Sequence, residues 1–445
     1  MAISADPDPH HGSMTITPWG RADELRARRL RPGPGSSREE VDRNQRERLL
    51  GATVAVVAER GYDATRVADL LELAGISRSA FYHHFANKQE CFLAAVEEMI
   101  DRAGAKLAEA YDAGGDSWED RARSVLDALA ELIVAQPAAA RVCVVEVYAA
   151  GPAATERFGR VGDSVLRTAA DTLADSPAHA GMPRKLLRAI FGGMRQTVHT
   201  RLRHGREDEL PGLVPELLEW ALSYQPPARP LRRPRKPPPL PPAERDRDDQ
   251  RSRMLAAITE AVAEKGYQAM TITEIAQRGA VSLSTFYAHF ESKGDAFVAA
   301  IEDGEQRLFG ATLPAFQASQ DWPDAVRNAL HAFFAFLATN PATAKLGGVD
   351  VYSGGPKALA RHEQTLNRFQ TLLEPGVERY GTGPIGPEAI GGAISTLAYD
   401  QLAAGNPERL YELAPTATFL ALAPFVGNER AVELANERWV PPTSA

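Results

Sequence analysis

Ile76-Ser77-Arg78-Ser79-Ala80-Phe81-Tyr82-His83-His84-Phe85 returns 205 residues later as Val281-Ser282-Leu283-Ser284-Thr285-Phe286-Tyr287-Ala288-His289-Phe290. Each copy follows a short apolar helix pattern, Val67 to Leu73 or Ile272 to Arg278, and a turn at Ala74-Gly75 or Gly279-Ala280. Two short helices joined by a tight turn form a helix-turn-helix. Ser77 and Ser282 are placed to cap the second helix by accepting a backbone hydrogen bond, and Gly75 suits a left-handed turn. The exposed face of that second helix offers hydroxyls and a guanidinium that can reach base edges, beside Tyr and His that can donate to phosphates. Arg78, Ser79 and His83 are the candidate base readers of the first copy, and Ser284 and Thr285 those of the second. Lys88 and Lys293 open the following helix, where free amides also favour a phosphate. The phenylalanines share the opposite face and read as core. His83 and His84 diverge by about 100° on a helix, which separates them as metal ligands.

Outward from this motif the chain is written twice. Ungapped comparison of Gln45–Glu97 with Gln250–Glu302 gives 22 identities in 53 positions. Further on the offset becomes 204, pairing Gln136-Pro137 with Asn340-Pro341, Val147-Tyr148 with Val351-Tyr352 and Gly151-Pro152 with Gly355-Pro356. Weaker echoes pair Gly192-Gly193 with Gly391-Gly392 and Leu213-Val214-Pro215 with Leu413-Ala414-Pro415. Apolar residues at three- and four-residue spacing, such as Leu50, Val54 and Val57 or Leu255, Ile258 and Val262, predict helices throughout, and alternating strand patterns are absent. Pro137, Pro341 and the Gly-Pro pairs mark turns between helices. The expected organisation is all-α. A disordered basic N-terminal arm spans 1–43, a helix-turn-helix domain 44–100 and a helical effector and dimerisation domain 101–224. A linker spans 225–248, the second helix-turn-helix domain 249–305, its effector domain 306–428 and a C-terminal tail 429–445.

In the linker, nine of the nineteen residues from Gln225 to Ala243 are proline and five are Arg or Lys. Proline removes donors and fixes the backbone near polyproline II, so a stiff spacer is expected. Its Arg229, Arg232, Arg233, Arg235 and Lys236 read either as a solubilising tether or as phosphate contacts.

Composition narrows the function. Fifty basic against 58 acidic residues give a net charge of −8, which excludes a uniformly basic nucleic-acid binder but not a local basic surface. Tyr62 to Leu93 holds three basic and four acidic residues, whereas Gln225 to Arg253 holds nine and four. Arg26, Arg28, Arg29, Arg31 and Arg38 add a second basic cluster in the arm. Cys91 and Cys143 are too few for a disulfide framework and read as small apolar fillers of a protein in a reducing compartment. No apolar run suits a membrane span or a signal peptide, so a cytoplasmic protein without membrane contact is expected. A phosphate-cradling glycine loop, metal-ligand spacing and a nucleophile elbow are all lacking, so an enzyme, a metal and a cofactor are not expected.

Gly-Tyr, a Thr-opened short helix, Ile/Val-Ser, Phe-Tyr-x-His-Phe and a Lys three residues later together resemble the DNA-binding domain of tetracycline-repressor (TetR) family regulators. The resemblance extends over Gln45 to Tyr224 and Gln250 to Val426, strongly at the head of each repeat and diffusely after it. It implies DNA contacts from Thr65 or Arg66, Ser77, Arg78, Tyr82, His84 and Lys88, and from Thr271, Ser282, Ser284, Tyr287, His289 and Lys293. Two positions depart from the family pattern. Leu71 replaces a small residue and is expected to widen the approach of the two helices. Ala280 stands where the turn glycine belongs, at a cost of roughly 1–2 kcal/mol for a left-handed non-glycine residue, unless the turn shifts to Gly279.

The implied function is a DNA-binding transcriptional repressor released by a small-molecule ligand, whose partners are a double-stranded DNA operator and that effector. Two arrangements are open: an intrachain pseudo-dimer in which both heads read DNA, or a homodimer in which one head serves assembly alone. Arg78 stands opposite Leu283 and His83 opposite Ala288, so two working heads would read different half-sites. Phe191, Phe333, Phe334 and Phe336 are equally core residues or lining of an effector pocket.

Overall fold

Helix starts in this chain are set by short polar side chains. Ser37 and Glu40 form a reciprocal capping box at the start of helix α1 (Arg38–Arg60), and Ser77, Asn87 and Ser117 each accept a free amide in the first turn of the helices that open at Arg78, Lys88 and Trp118. In the computed structural model, which describes residues 15–30, 35–174, 176–240, 249–381, 383 and 385–441, the first repeat continues through α2 (Val67–Ala74), α3 (Arg78–His84), α4 (Lys88–Ala113), α5 (Trp118–Ala135), α6 (Pro137–Val144), α7 (Pro152–Ala174), α8 (Arg184–Arg203) and α9 (Leu210–Leu222). The second follows with α10 (Gln250–Ala269), α11 (Ile272–Arg278), α12 (Leu283–His289), α13 (Lys293–Gln317), α14 (Trp322–Thr339), α15 (Pro341–Gly348), α16 (Gly355–Gln370), α17 (Glu374–Tyr380), α18 (Ile385–Ala403), α19 (Ala414–Val426) and α20 (Asn428–Asn436). The fold is all-α, as the helical periodicity requires. Besides short 3-10 turns, the described residues add a two-stranded antiparallel ribbon, β1 (Ile16–Thr17) with β2 (Gly20–Arg21).

The chain divides into two compact units whose boundary departs from the expected domain limits. One unit comprises residues 1–161 and 199–212; the other comprises 162–198 and 213–445. The expected effector domain at 101–224 is therefore split. The reason is apolar burial: Leu186, Leu187, Ile190 and Trp220, from α8 and α9, belong to the same core as Ala389, Ile390, Ala393 and Phe419, from α18 and α19. Within this unit the equivalent glycines Gly193 and Gly392 face each other. A Cβ on Gly392 would lie 3.1 Å from the Gly193 Cα, and one on Gly193 would lie 2.3 Å from the Ala389 carbonyl. Glu216 Oε1 accepts the Ile385 amide at 2.7 Å, so a first-repeat side chain satisfies the start of a second-repeat helix. Tyr224, fully buried, donates to the Leu420 carbonyl at 2.8 Å.

Three segments differ from expectation. The arm at 1–43 is ordered over residues 15–30 and from 35 onward, because its few apolar side chains find a core: Trp19 and Leu25 are buried against α1 and α4, and Trp19 Nε1 donates to Glu98 at 3.2 Å. Residues 1–14 and 31–34 lie outside the described residues. The linker, described over 225–240, is not a free tether. It forms no helix, as its prolines dictate, yet Asn436 Oδ1 accepts the Arg232 amide at 2.7 Å and Leu231 and Leu240 pack on the core. The tail at 429–445 opens instead as α20, whose Val432, Leu434 and Ala435 are buried together with Trp439.

The helix-turn-helix turns differ between repeats. Gly75 adopts the left-handed region at φ 62°. In the second repeat Gly279 stays right-handed at φ −76° and Ala280 takes φ 50°, so the strain is not displaced to the glycine. Ala280→Gly is expected to stabilise the protein by about 0.5–1 kcal/mol, the relieved strain exceeding the added unfolded-state entropy. A urea midpoint equal to or below the parent's would refute this. Leu71 lines a concavity with Arg26, Ala27 and Arg29 of the ordered N-terminal segment.

Candidate nucleic-acid interface

Each recognition helix is fixed from behind by two phenylalanines and capped in front by a serine. Phe81 and Phe85 are buried in the first head and Phe286 and Phe290 in the second. Ser77 Oγ accepts the Ala80 amide at 3.3 Å, and Ser282 Oγ accepts the Thr285 amide at 3.0 Å. This geometry turns a common set of positions outward. Ser77, Arg78, Ser79, Tyr82 and His83 are exposed on α3; Ser282, Leu283, Ser284, Tyr287 and His289 are exposed on α12. Tyr82 is 48% and Tyr287 58% exposed, although each ring edge contacts the phenylalanine beside it. An aromatic body resting on the core with its hydroxyl in solvent is what a phosphate or base contact needs. The Arg78 guanidinium lies 5.8 Å from the Tyr82 ring centroid, which keeps it over the reading face.

Serine hydroxyls are paired in both heads: Ser77 with Ser79 at 3.1 Å, and Ser282 with Ser284 at 2.7 Å and Thr285 at 2.9 Å. Thr285 is half-buried behind them. His84 is half-buried, 3.4 Å from Gln45 Oε1, and burial lowers its pKa, favouring the neutral ring.

Three sequence-predicted residues have other employment. Thr65 is 2% exposed and donates to the Gly61 carbonyl at 2.7 Å. Its counterpart by the 205-residue offset is Met270, also buried, so the position faces the core and Arg66 and Thr271 take the exposed helix start. Thr271 Oγ1 accepts the Glu274 amide at 3.3 Å. The two lysines reach inward. Lys88 Nζ donates to the Tyr62 and Thr65 carbonyls at 2.7 and 3.0 Å, and Lys293 Nζ to those of Tyr267, Gln268 and Met270 at 3.1–3.3 Å. Each ammonium also sits over the tyrosine ring of its head, 4.1 Å from Tyr62 and 4.6 Å from Tyr267. Burial lowers both lysine pKa values. Three bonds use every ammonium hydrogen of Lys293, which makes it a brace of the loop entering α11.

Two braces were not read from the sequence. Arg48 Nη1 donates to the Ala74 carbonyl at 2.7 Å, and Arg253 Nε to the Gly279 carbonyl at 3.1 Å, holding the end of α2 and of α11 in the same way. Their 205-residue spacing was the available signal. Arg26 covers the first turn: a Cβ on Gly75 would lie 2.6 Å from its Cγ. An exposed arginine therefore stands beside the turn of the first head.

Burial pushes the thiols of Cys91 and Cys143 up to about 12, away from the reactive thiolate. No single helix among the described residues is long and apolar enough to cross a membrane.

The pattern described as "Bacterial regulatory proteins, tetR family" matches residues 49–95 and 254–300, one match per head. The transcriptional activator FasR of Mycolicibacterium smegmatis is 33% identical over 91 residues, 20% of this chain and 42% of that protein. The regulator CymR of Pseudomonas putida is 39% identical over 66 residues, 14% of this chain and 32% of that protein. The repressor KstR of Mycolicibacterium smegmatis is 30% identical over 80 residues, 18% and 39% of the two chains. The chain thus spans under half the length of these relatives. Among solved structures, FadR of Bacillus subtilis in complex with stearoyl-CoA aligns over 39% of this chain and 97% of its own at 13% identity, with a TM-score of 0.34.

Proposed function

We propose, from the premise that this chain belongs to the TetR family of bacterial regulatory proteins and carries its DNA-binding module twice, that it is a sequence-specific transcriptional repressor with two reading heads in one polypeptide, released from its operator by a small molecule. The observation that carries this reading is the pair of exposed faces on α3 and α12, each held by a buried Phe pair and a serine cap. Packing of α8 and α9 on α18 and α19 supports an intrachain pseudo-dimer, because it occupies those faces within one chain. Contacts to base edges come from Arg78, Ser79 and His83 in the first head and from Ser284 and Thr285 in the second. Backbone contacts come from Arg66, Ser77, Tyr82 and His84, and from Thr271, Ser282, Tyr287 and His289. Arg26 adds positive charge beside the first turn, so affinity should fall as salt rises.

Selecting genomic fragments on the purified chain yields the operator, and two variants then apportion it. Arg78→Ala with Tyr82→Ala, and separately Ser284→Ala with Tyr287→Ala, should each weaken retardation of that fragment about 10- to 1000-fold. Each should remove protection from a different half of the footprint, and the halves should differ in sequence because Arg78 and Leu283, like His83 and Ala288, occupy equivalent positions in the two repeats. Loss from one pair alone would show that the other head serves assembly only. Full binding by both variants would refute the reading.

A further inference from the structure

The second repeat encloses a cavity of about 160 Å³ between α13, α14, α15, α16 and α18. Its wall is mostly hydrocarbon, with Leu308, Val326, Phe333, Phe336, Leu366 and Phe369 prominent. The charged and aromatic polar groups that reach it are already matched. Glu305, 6% exposed, accepts from Arg361 Nε at 2.6 Å and from the Thr365 hydroxyl. Tyr352 and His362 are bonded to each other at 3.3 Å. Besides the Thr343 hydroxyl on α15, two lining side chains make no hydrogen bond among the described residues: the amide of Gln370 on α16 and the hydroxyl of Ser395 on α18. They serve the same stretch of wall, since a Cβ on Gly391, one turn before Ser395, would lie 3.6 Å from Gln370 Nε2.

Resting on the reading of this chain as a ligand-released regulator, we propose that this cavity takes a compact, uncharged and mainly apolar molecule. Its single neutral hydrogen-bonding group, a hydroxyl or carbonyl, is received by Gln370 and Ser395. Size sets the first limit: an apolar cavity of roughly 150 Å³ holds a benzene-sized body. Charge sets the second. An ammonium entering this wall would have to take Glu305 from Arg361, and a carboxylate would have to take Arg361 from Glu305 or part His362 from Tyr352, so an existing partner is lost either way. The chemistry is written in one repeat. Ile100, Leu129 and Leu132 occupy the positions that align with Glu305, Phe333 and Phe336, so one molecule is bound per chain.

The test uses the full chain and four probes, benzyl alcohol, benzoate, benzylamine and palmitate, read by calorimetric titration and thermal shift. Benzyl alcohol should bind with one site per chain and raise the melting temperature by about 2 °C near saturation. Benzoate and benzylamine should bind at least about tenfold more weakly, the cost of one unpaired charge or more. Gln370→Leu should weaken benzyl alcohol about tenfold, and Ser395→Ala, which removes a single atom, covers the case in which the first variant folds poorly. Tighter binding of benzoate, benzylamine or palmitate, two sites per chain, or unchanged affinity in both variants would overturn the proposal. Retardation of the operator in the same preparation separates the two readings. Benzyl alcohol bound as described without release of DNA supports the cavity assignment and refutes ligand-released repression. Release of DNA by palmitate alone does the reverse.

Discussion

Gly193→Leu is expected to lower the melting temperature by about 6–12 °C, the equivalent of about 3 kcal/mol for units of this size. The glycine is required by close approach rather than by backbone conformation. A Cβ there would lie 2.3 Å from the Ala389 carbonyl oxygen and 2.6 Å from the Trp220 ring, and neither the helix backbone nor a buried indole can retreat cheaply. Leucine adds three further carbons to a crossing whose other side is Gly392, so α8 and α18 must separate and strip Ile190 and Ala393 of their contacts. Because both helices belong to one chain, the loss should not depend on protein concentration, unlike that of a dimer held by the same crossing. Gly212→Ala, at an exposed site with nothing within 4 Å, is the control and should leave the midpoint unchanged or slightly raised. Calorimetry at two protein concentrations decides the matter. A Gly193→Leu midpoint within a degree of the parent's, or one that rises with concentration, would contradict the assigned crossing.

Asp350→Asn should stabilise the protein at pH 8 by about 1–3 kcal/mol and leave it nearly unchanged at pH 4. Asp350 is 8% exposed and its Oδ2 meets no hydrogen-bond partner. Burial pushes its carboxyl up to about 6, and nearby Lys345, whose Nζ donates to the Ala263 carbonyl at 2.6 Å, offsets this only in part. A carboxyl whose folded pKa exceeds its unfolded one supplies stability in full below the unfolded value, near 4. That stability is lost as pH rises through about 6. Asparagine keeps the shape and removes the charge, so the variant escapes the loss. The first repeat shows the relieved arrangement: Glu146, one methylene longer, accepts the Tyr62 amide at 2.9 Å. Glu146 and Glu305 are also raised by burial. The informative quantity is therefore the difference between variant and parent in urea unfolding at pH 4 and pH 8. Equal differences at both values would refute the assignment.

The heads were legible because their information is local: a serine cap, a turn and an i, i+4 phenylalanine pair lie within ten residues, and the 205-residue repeat says the same thing twice. What the sequence hid depends on partners far along the chain. Trp19 and Leu25 sit in a polar, arginine-rich stretch whose composition reads as disorder, and only α1 and α4 supply their core. Lys88 looks like a phosphate ligand beside a helix start, but the carbonyls of Tyr62 and Thr65 converge on it from the preceding loop. Thr65 carries a hydroxyl in a motif that reads as DNA-contacting, whereas the methionine at its counterpart reports the buried side. The proline-rich segment reads as a spacer because proline forbids helix, and nothing local reveals that Asn436 receives its backbone. The division of the first effector domain follows from apolar faces that meet nearly 200 residues apart.

The crossing at Gly193 and Gly392 also bears on how this chain can diverge. In an assembly of identical subunits, any substitution is copied to both sides and its energetic effect is felt twice. Here both repeats are encoded in the same gene, so a change on α3 leaves α12 untouched. Each exposed helix face can therefore change by itself, in steps half as large.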